Sequence, residues 1–125
     1  MIGNKYLEEL FNYPDEDTAL NQLLEMLKNK DEKFINSLNE PIDLTLCDKK
    51  EIEFLTKVSA LIDYYLQIHG LEVPDWLRDD KLSFKTPYYH PRRISDFDKI
   101  KLQITCPGPF RARNVYFDMS GLERV

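Results

Sequence analysis

The sequence predicts a mainly α-helical, single-domain fold, a bundle around one long central helix with an irregular C-terminal wrap and one short strand. Three observations support this fold. Apolar residues recur at helical spacing from residue 4 to residue 69. The stretch 48–69 carries both a helix start signal and a helix stop signal. Five of the seven prolines and most aromatic residues follow Gly70, which indicates an ordered, irregular segment that packs on the helices.

Three helices are predicted before Pro41. Asn4 is expected to cap the first, which Pro14 ends. Asp15 or Asp17 is expected to cap the second, near 17–28, and the third lies near 31–38. The apolar residues of the second helix follow the i, i+3, i+4, i+7 pattern of a single buried face, namely Leu20, Leu23, Leu24 and Leu27.

The stretch 48–69 is predicted to be the central helix. Asp48 and Glu51 form a variant of the capping box at its start. Gly70 supplies the residue that most easily adopts a left-handed conformation at a helix end, and Pro74 follows. The apolar residues of this helix cover more than one face, so neighbours on several sides are expected to bury the helix. These residues are Ile52, Phe54, Leu55, Val58, Leu61, Ile62, Tyr65, Leu66 and Ile68.

The more basic second half is predicted to wrap onto this helix. Ser95 or Asp96 can cap one further helix, and the segment 106–109 is interpreted as a helix stop and turn. Val115 and Phe117 alternate as in a short strand, with a turn at 120–121. The aromatic residues expected to pack onto the central helix are Trp76, Phe84, Phe97, Phe110, Tyr116 and Phe117.

Charge divides the chain into an acidic helical half, 1–70, and a more basic half, 71–125. The net charge is −5, yet residues 78–113 hold nine basic and four acidic side chains. The chain has no apolar run long enough to span a membrane and no signal peptide at its start. Two widely separated cysteines with no export signal indicate reduced thiols and a cytoplasmic location.

No catalytic, metal or cofactor site is predicted. The four glycines form neither of the common phosphate-binding motifs. His69 and His90 lack the neighbouring ligands that a metal site needs. A reactive thiolate needs a base or an electropositive pocket, for which Arg111, Arg113 and His90 are the candidates near Cys106, but nothing in the local sequence demonstrates one. Cys47 and Cys106 are therefore each interpreted as a small buried residue. A non-enzymatic protein is therefore expected.

Six residues of the second half are candidates for contact with a partner or a phosphate. Arginines beside aromatic rings can bind a nucleobase and its phosphate, although such a stretch is more often an aromatic anchor with a solvated arginine pair. The spacing of the last two arginines leaves open which side of the chain they face. The candidates are Tyr88, His90, Arg92, Arg93, Arg111 and Arg113.

An ordered set of motifs in the second half resembles the C-terminal pattern of an uncharacterised prokaryotic family of small proteins. The motifs are Pro74-Asp75-Trp76-Leu77, Pro87-Tyr88-Tyr89, the segment 109–117 around Arg113-Asn114-Val115-Tyr116, and Leu122-Glu123-Arg124-Val125. Val115 and Tyr116 stand where the family pattern has isoleucine and phenylalanine, and residues 81–101 diverge from it. The resemblance implies an antitoxin-like binding protein whose partner is a nucleotidyltransferase-like protein encoded beside it.

Two functions follow as expectations. The first is a non-enzymatic interaction protein, whose acidic helical half covers a basic surface of another protein. The alternative is a regulator that binds nucleic acid through the C-terminal arginines. Helices near 17–28 and 31–38 superficially resemble a helix-turn-helix, but their acidic surroundings would be repelled by the phosphate backbone.

Overall fold

The computed structural model describes residues 4–90, 95–106 and 108–117. Helices hold 62% of the described residues, which confirms the mainly α-helical fold. The α-helices are α1 (Lys5–Leu10), α2 (Glu16–Lys28), α3 (Glu32–Ser37), α4 (Lys49–Ile68), α5 (Asp96–Thr105) and α6 (Gly108–Ala112). Two 3-10 helices, Leu44–Leu46 and Asp75–Arg78, and two strands, β1 (Tyr88–His90) and β2 (Val115–Phe117), complete the described elements.

Side-chain caps begin the predicted helices. The Asn4 side chain accepts hydrogen bonds from the backbone of Tyr6 and Leu7 at the start of α1. Asp15, rather than Asp17, caps α2, and Asp31 caps α3. Each cap satisfies a backbone N–H that has no partner within its own helix. The structure therefore confirms these starts to within a residue or two.

The capping box and the glycine stop of α4 are both present. The Asp48 side chain accepts from the backbone of Glu51, and the Glu51 side chain accepts from the backbone of Asp48. Gly70 has a φ of 70°, the left-handed conformation that ends many helices. The central helix is therefore confirmed, but Ile68, expected to be buried, is 55% exposed at its last turn.

The core surrounds α4. Helices α2 and α6 and the 3-10 helix Asp75–Arg78 pack against it, and β2 lies beside it. Phe34, Phe110 and Leu77 are fully buried. The Trp76 indole donates to the carbonyl of Leu38 across 2.7 Å, so this residue joins the second half of the chain to the end of α3.

A two-stranded parallel sheet holds the end of the described chain. Tyr88 pairs with Val115, Tyr89 with Tyr116, and His90 with Phe117. The sequence predicts β2 but not β1, because Tyr88, Tyr89 and His90 do not show the alternation of apolar and polar residues that indicates a strand. The strands need a long connection between them because they are parallel, and α5 and α6 lie within it.

Two predictions for the second half were wrong. Phe97, expected in the core, is 75% exposed. The segment after α5 does stop that helix, but it does not form only a turn, because α6 begins at Gly108. Pro109 is compatible with a helix there, since the first turn needs no N–H from it. Phe84 and Tyr116 pack partly buried against the core, while the turn at 120–121 lies outside the described residues.

Candidate functional site

Helix α5 exposes an apolar stripe. Ser95 caps the helix by accepting from the backbone of Asp98 across 3.2 Å. Phe97 and Ile100 lie about one turn apart and are 75% and 58% exposed. Isolated exposed apolar residues are common, but two large ones about one turn apart place adjoining apolar surface in contact with solvent. We call Phe97 and Ile100 the α5 stripe.

The opposite face of α5 is packed on the protein. Leu102 and Cys106 are buried, and Gln103 donates to the hydroxyl of Tyr89. The Lys99 ammonium lies 5.5 Å from the centre of the Tyr89 ring, within the range of a cation–π contact. The helix is therefore anchored through Leu102 and its C-terminal end, while Phe97 and Ile100 remain exposed.

A network of charged side chains is centred on Asp63, which is 1% exposed on α4. Arg78 donates to both carboxylate oxygens, from Nε to Oδ2 and from Nη2 to Oδ1, at 3.1 Å each. Arg113 donates from Nη2 to Oδ2 at 3.0 Å, and Gln67 donates to Oδ1 at 2.7 Å. Four hydrogen bonds thus hold one buried carboxylate. We call Asp63, Arg78 and Arg113 the Asp63 cluster.

The cluster changes the ionisation of its members. Burial by itself would raise the pKa of Asp63, but the hydrogen bonds from Arg78, Gln67 and Arg113 outweigh it and hold that pKa below its ordinary value. Burial lowers the pKa of Arg113, and Asp63 offsets part of this effect. The Asp63 hydrogen bond raises the pKa of Arg78. The carboxylate is therefore charged at neutral pH.

A cavity of about 370 Å³ opens beside the Asp63 cluster. Its lining contains the cluster and the carboxylates of Asp79 and Asp80, together with the apolar residues Leu82, Pro109 and Ala112. This volume lies at the lower end of the range typical of small-molecule sites, about 300–1,000 Å³. Charged groups with shifted pKa values in a cleft are typical of functional sites.

A second buried charge joins the two halves of the chain. The Lys57 ammonium, on α4, donates to Glu16 Oε1 at 2.6 Å and to the Tyr88 hydroxyl at 2.8 Å. The same ammonium lies 4.0 Å from the centre of the Tyr88 ring. This lysine is 4% exposed. These contacts connect α2, α4 and β1. They hold β1 against the helices and keep the Lys57 ammonium away from solvent.

The six candidate contact residues have different surroundings. Arg111, on α6, is exposed. Arg113 is 4% exposed and also donates to the carbonyls of Leu77 and Pro109, so its guanidinium faces the interior instead of the predicted contact surface. The hydroxyl of Tyr88 contacts Lys57. His90 lies in β1, its side chain being outside the description, and Arg92 and Arg93 lie outside the described residues.

The sequence does contain a signal for the two charge networks, in the positions of their charged residues on the central helix. Lys57 and Asp63 stand among the apolar residues of the central helix, where buried charges need partners. Their partners come from distant segments, Asp63 and Arg113 being fifty positions apart. Local spacing therefore indicates that partners exist but does not say which they are.

The two thiols differ in their exposure. Cys106 is buried at 3% exposure. Partial burial and the nearby carboxylates of Glu51, Asp48 and Asp43 raise the pKa of Cys47, which disfavours its thiolate. Within ranges 4–90, 95–106 and 108–117, no three histidine, cysteine, aspartate or glutamate side chains cluster as a metal site would require.

Among the described helices, none combines the length and apolar character that crossing a membrane requires. Comparisons with protein-family models, with curated proteins and with solved structures gave no match.

Proposed function

We propose that this protein acts by binding another protein without catalysing a reaction, and that the α5 stripe is part of the contact surface. The observation that carries the proposal is the exposure of Phe97 and Ile100 on a helix that is capped and packed on its other face. Exposed apolar side chains on an anchored helix suit insertion into an apolar groove of a partner. Such a residue adds affinity because its burial on binding removes apolar surface from water.

The resemblance of the second half to antitoxin-like proteins supports the same class of function. It suggests as partner a nucleotidyltransferase-like protein encoded by the neighbouring gene. The acidic helical half would complement a basic surface on that partner and accelerate association. Residues of the family-like segment also help to build the fold: Trp76 contacts Leu38 and Arg113 contacts Asp63.

The test is co-purification of this protein with the product of the neighbouring gene, followed by a titration. We expect a complex at micromolar concentration that is weakened about tenfold or more when Phe97 and Ile100 are both changed to serine, since each loses apolar burial. Leu46→Ser is the matched control, because Leu46 is also exposed, at 57%, but lies outside α5. An absent complex, or equal effects of the control and the double variant, would contradict the proposal.

The alternative function is nucleic-acid binding. Of the four candidate arginines, Arg111 is described and exposed, so it stays available for this function. Since the Arg113 guanidinium is engaged internally, this alternative depends on Arg111 with Arg92 and Arg93. It predicts binding that weakens steeply with salt and with Arg111→Ala. The absence of any shift with DNA or RNA at low salt would exclude it.

A further inference from the structure

The lining of the cavity beside the Asp63 cluster contains charges of both signs. Arg78 uses Nε and Nη2 to bind Asp63, and its side chain is still 55% exposed. No hydrogen bond is described for its Nη1, which therefore retains donors for a ligand. The guanidinium has five N–H donors in all, more than one carboxylate can accept.

Two carboxylates lie next to this guanidinium in the chain. Asp79 accepts a hydrogen bond from the backbone of Lys81 through Oδ1, which leaves its second oxygen as an acceptor. Asp80 is exposed, and the described part of the chain offers no donor to its carboxylate. Both residues line the cavity. The lining thus contains both acceptors for a cation and donors for an anion.

The charges on the lining restrict the kind of ligand. A simple anion at Arg78 would be repelled by Asp79 and Asp80, and a simple cation would be repelled by Arg78. A ligand that carries both charges satisfies all three groups. The apolar side chains of Leu82, Pro109 and Ala112 can then contact its uncharged part. The volume of about 370 Å³ suits a molecule of this size.

We propose that this cavity binds a free α-amino acid, with its carboxylate at Arg78 and its ammonium at Asp79 and Asp80. This inference is independent of the proposed protein partner, because the α5 stripe contributes no residue to the cavity lining. Arg78 belongs both to the cavity and to the Asp63 cluster. A bound carboxylate would therefore add an anion to a network that contains two arginines and one aspartate.

The experiment titrates the isotopically labelled full chain with pools of the free amino acids at millimolar concentration and follows backbone amide signals by NMR. We expect at least one amino acid to shift signals of the cavity lining. Its N-acetyl derivative, which lacks the ammonium, and its amide, which lacks the carboxylate, should each bind about tenfold more weakly or worse, as expected when a charge-assisted hydrogen bond is lost.

Asp80→Asn tests the same contact with the ligand ammonium from the side of the protein. It removes one carboxylate charge while the backbone carbonyl of Asp80 still accepts from Ser83. We expect it to weaken binding by a similar factor, whereas Glu40→Gln, an exposed change outside the lining, leaves binding unaltered. Arg78→Gln would also remove two hydrogen bonds to Asp63, so the ligand derivatives test the carboxylate contact instead.

Three results would overturn the inference: no amino acid shifts the cavity signals, a derivative binds as tightly as its parent, or Asp80→Asn binds like the unchanged protein. The Phe97→Ser, Ile100→Ser double variant should bind the amino acid normally. Loss of partner binding with retained amino-acid binding therefore separates this inference from the proposed function.

Discussion

Two arginines close together in the chain differ in burial and in the contacts that they make. Arg111 and Arg113 are separated by one residue, yet Arg111 is exposed and Arg113 is buried against Asp63. Asn114, the next residue, has a φ of 60°, and its side chain donates to the carbonyl of Phe84 across 3.2 Å. This left-handed residue lies between the end of α6 and the start of β2. It redirects the chain there, and asparagine tolerates the conformation better than most residues.

Gly70 offers a test of backbone strain without a steric complication. A Cβ atom at this position would meet no atom within 4 Å, so the φ of 70° is the main cost of a side chain. We expect Gly70→Ala to lower the free energy of unfolding by about 1–2 kcal/mol. Urea denaturation measures this change.

Gly108→Ala is the matched control for Gly70. A Cβ there also meets no atom within 4 Å, and its φ is not in the left-handed range. Because Gly108 begins α6, alanine should be neutral or slightly stabilising. Equal destabilisation by the two variants would show that strain at Gly70 is not the cause.

At the scale of elements, α5 differs most from its prediction. Its apolar residues, read by periodicity alone, do not distinguish a face that meets the core from a face that meets solvent. The structure packs Leu102 inward and leaves Phe97 and Ile100 outward. In contrast, α1, α2, α3 and α4 were predictable, because caps and stop residues act within one or two turns of the chain.

The exposure of Phe97 gives a prediction about stability. Phe97→Ser should change the free energy of unfolding by no more than about 0.5 kcal/mol, as is usual for surface substitutions. Phe110→Ala should lower it by about 3–5 kcal/mol, because Phe110 is fully buried and its loss leaves a cavity. Chemical denaturation of both variants measures the contrast. A large loss in Phe97→Ser would mean that this ring belongs to the core.

The capping box of α4 gives a second prediction at this scale. Asp48→Ala removes the acceptor for the backbone N–H of Glu51 and should cost about 1 kcal/mol. Thermal and urea unfolding both report the change. Lys50→Ala, an exposed change in the same turn, should cost much less. An equal cost would indicate that helix propensity, rather than the cap, accounts for the effect.

Across the whole molecule, the Asp63 cluster connects segments that are distant in the chain. Asp63 lies on α4, Arg78 ends a 3-10 helix, and Arg113 follows α6. Asp63→Asn leaves two arginines without their carboxylate, so we expect a loss of about 3–5 kcal/mol, the usual cost of breaking a buried ion pair. Arg78→Lys, at the exposed end of the cluster, should cost less.

The lowered pKa of Asp63 predicts how the stability of the protein depends on pH. Because its folded pKa lies below its unfolded one, ionised Asp63 contributes fully above the unfolded pKa of about 3.9. This contribution is lost as the pH falls through the lower, folded pKa. The difference in unfolding free energy between the unchanged protein and Asp63→Asn should therefore shrink as the pH falls below about 4. A constant difference between neutral and acidic pH would contradict this assignment.

The sequence by itself determined the helical character, the starts of the first four helices and the position of the central one, although α1 ends at Leu10 rather than at Pro14. Those features depend on spacing, caps and stops that act between neighbouring residues. Only the tertiary structure decided that β1 pairs with β2, that α5 exposes Phe97, and that Asp63 meets Arg78 and Arg113. These outcomes depend on contacts between residues far apart in the chain, and the periodicity of one segment carries no information about which distant segment will cover it.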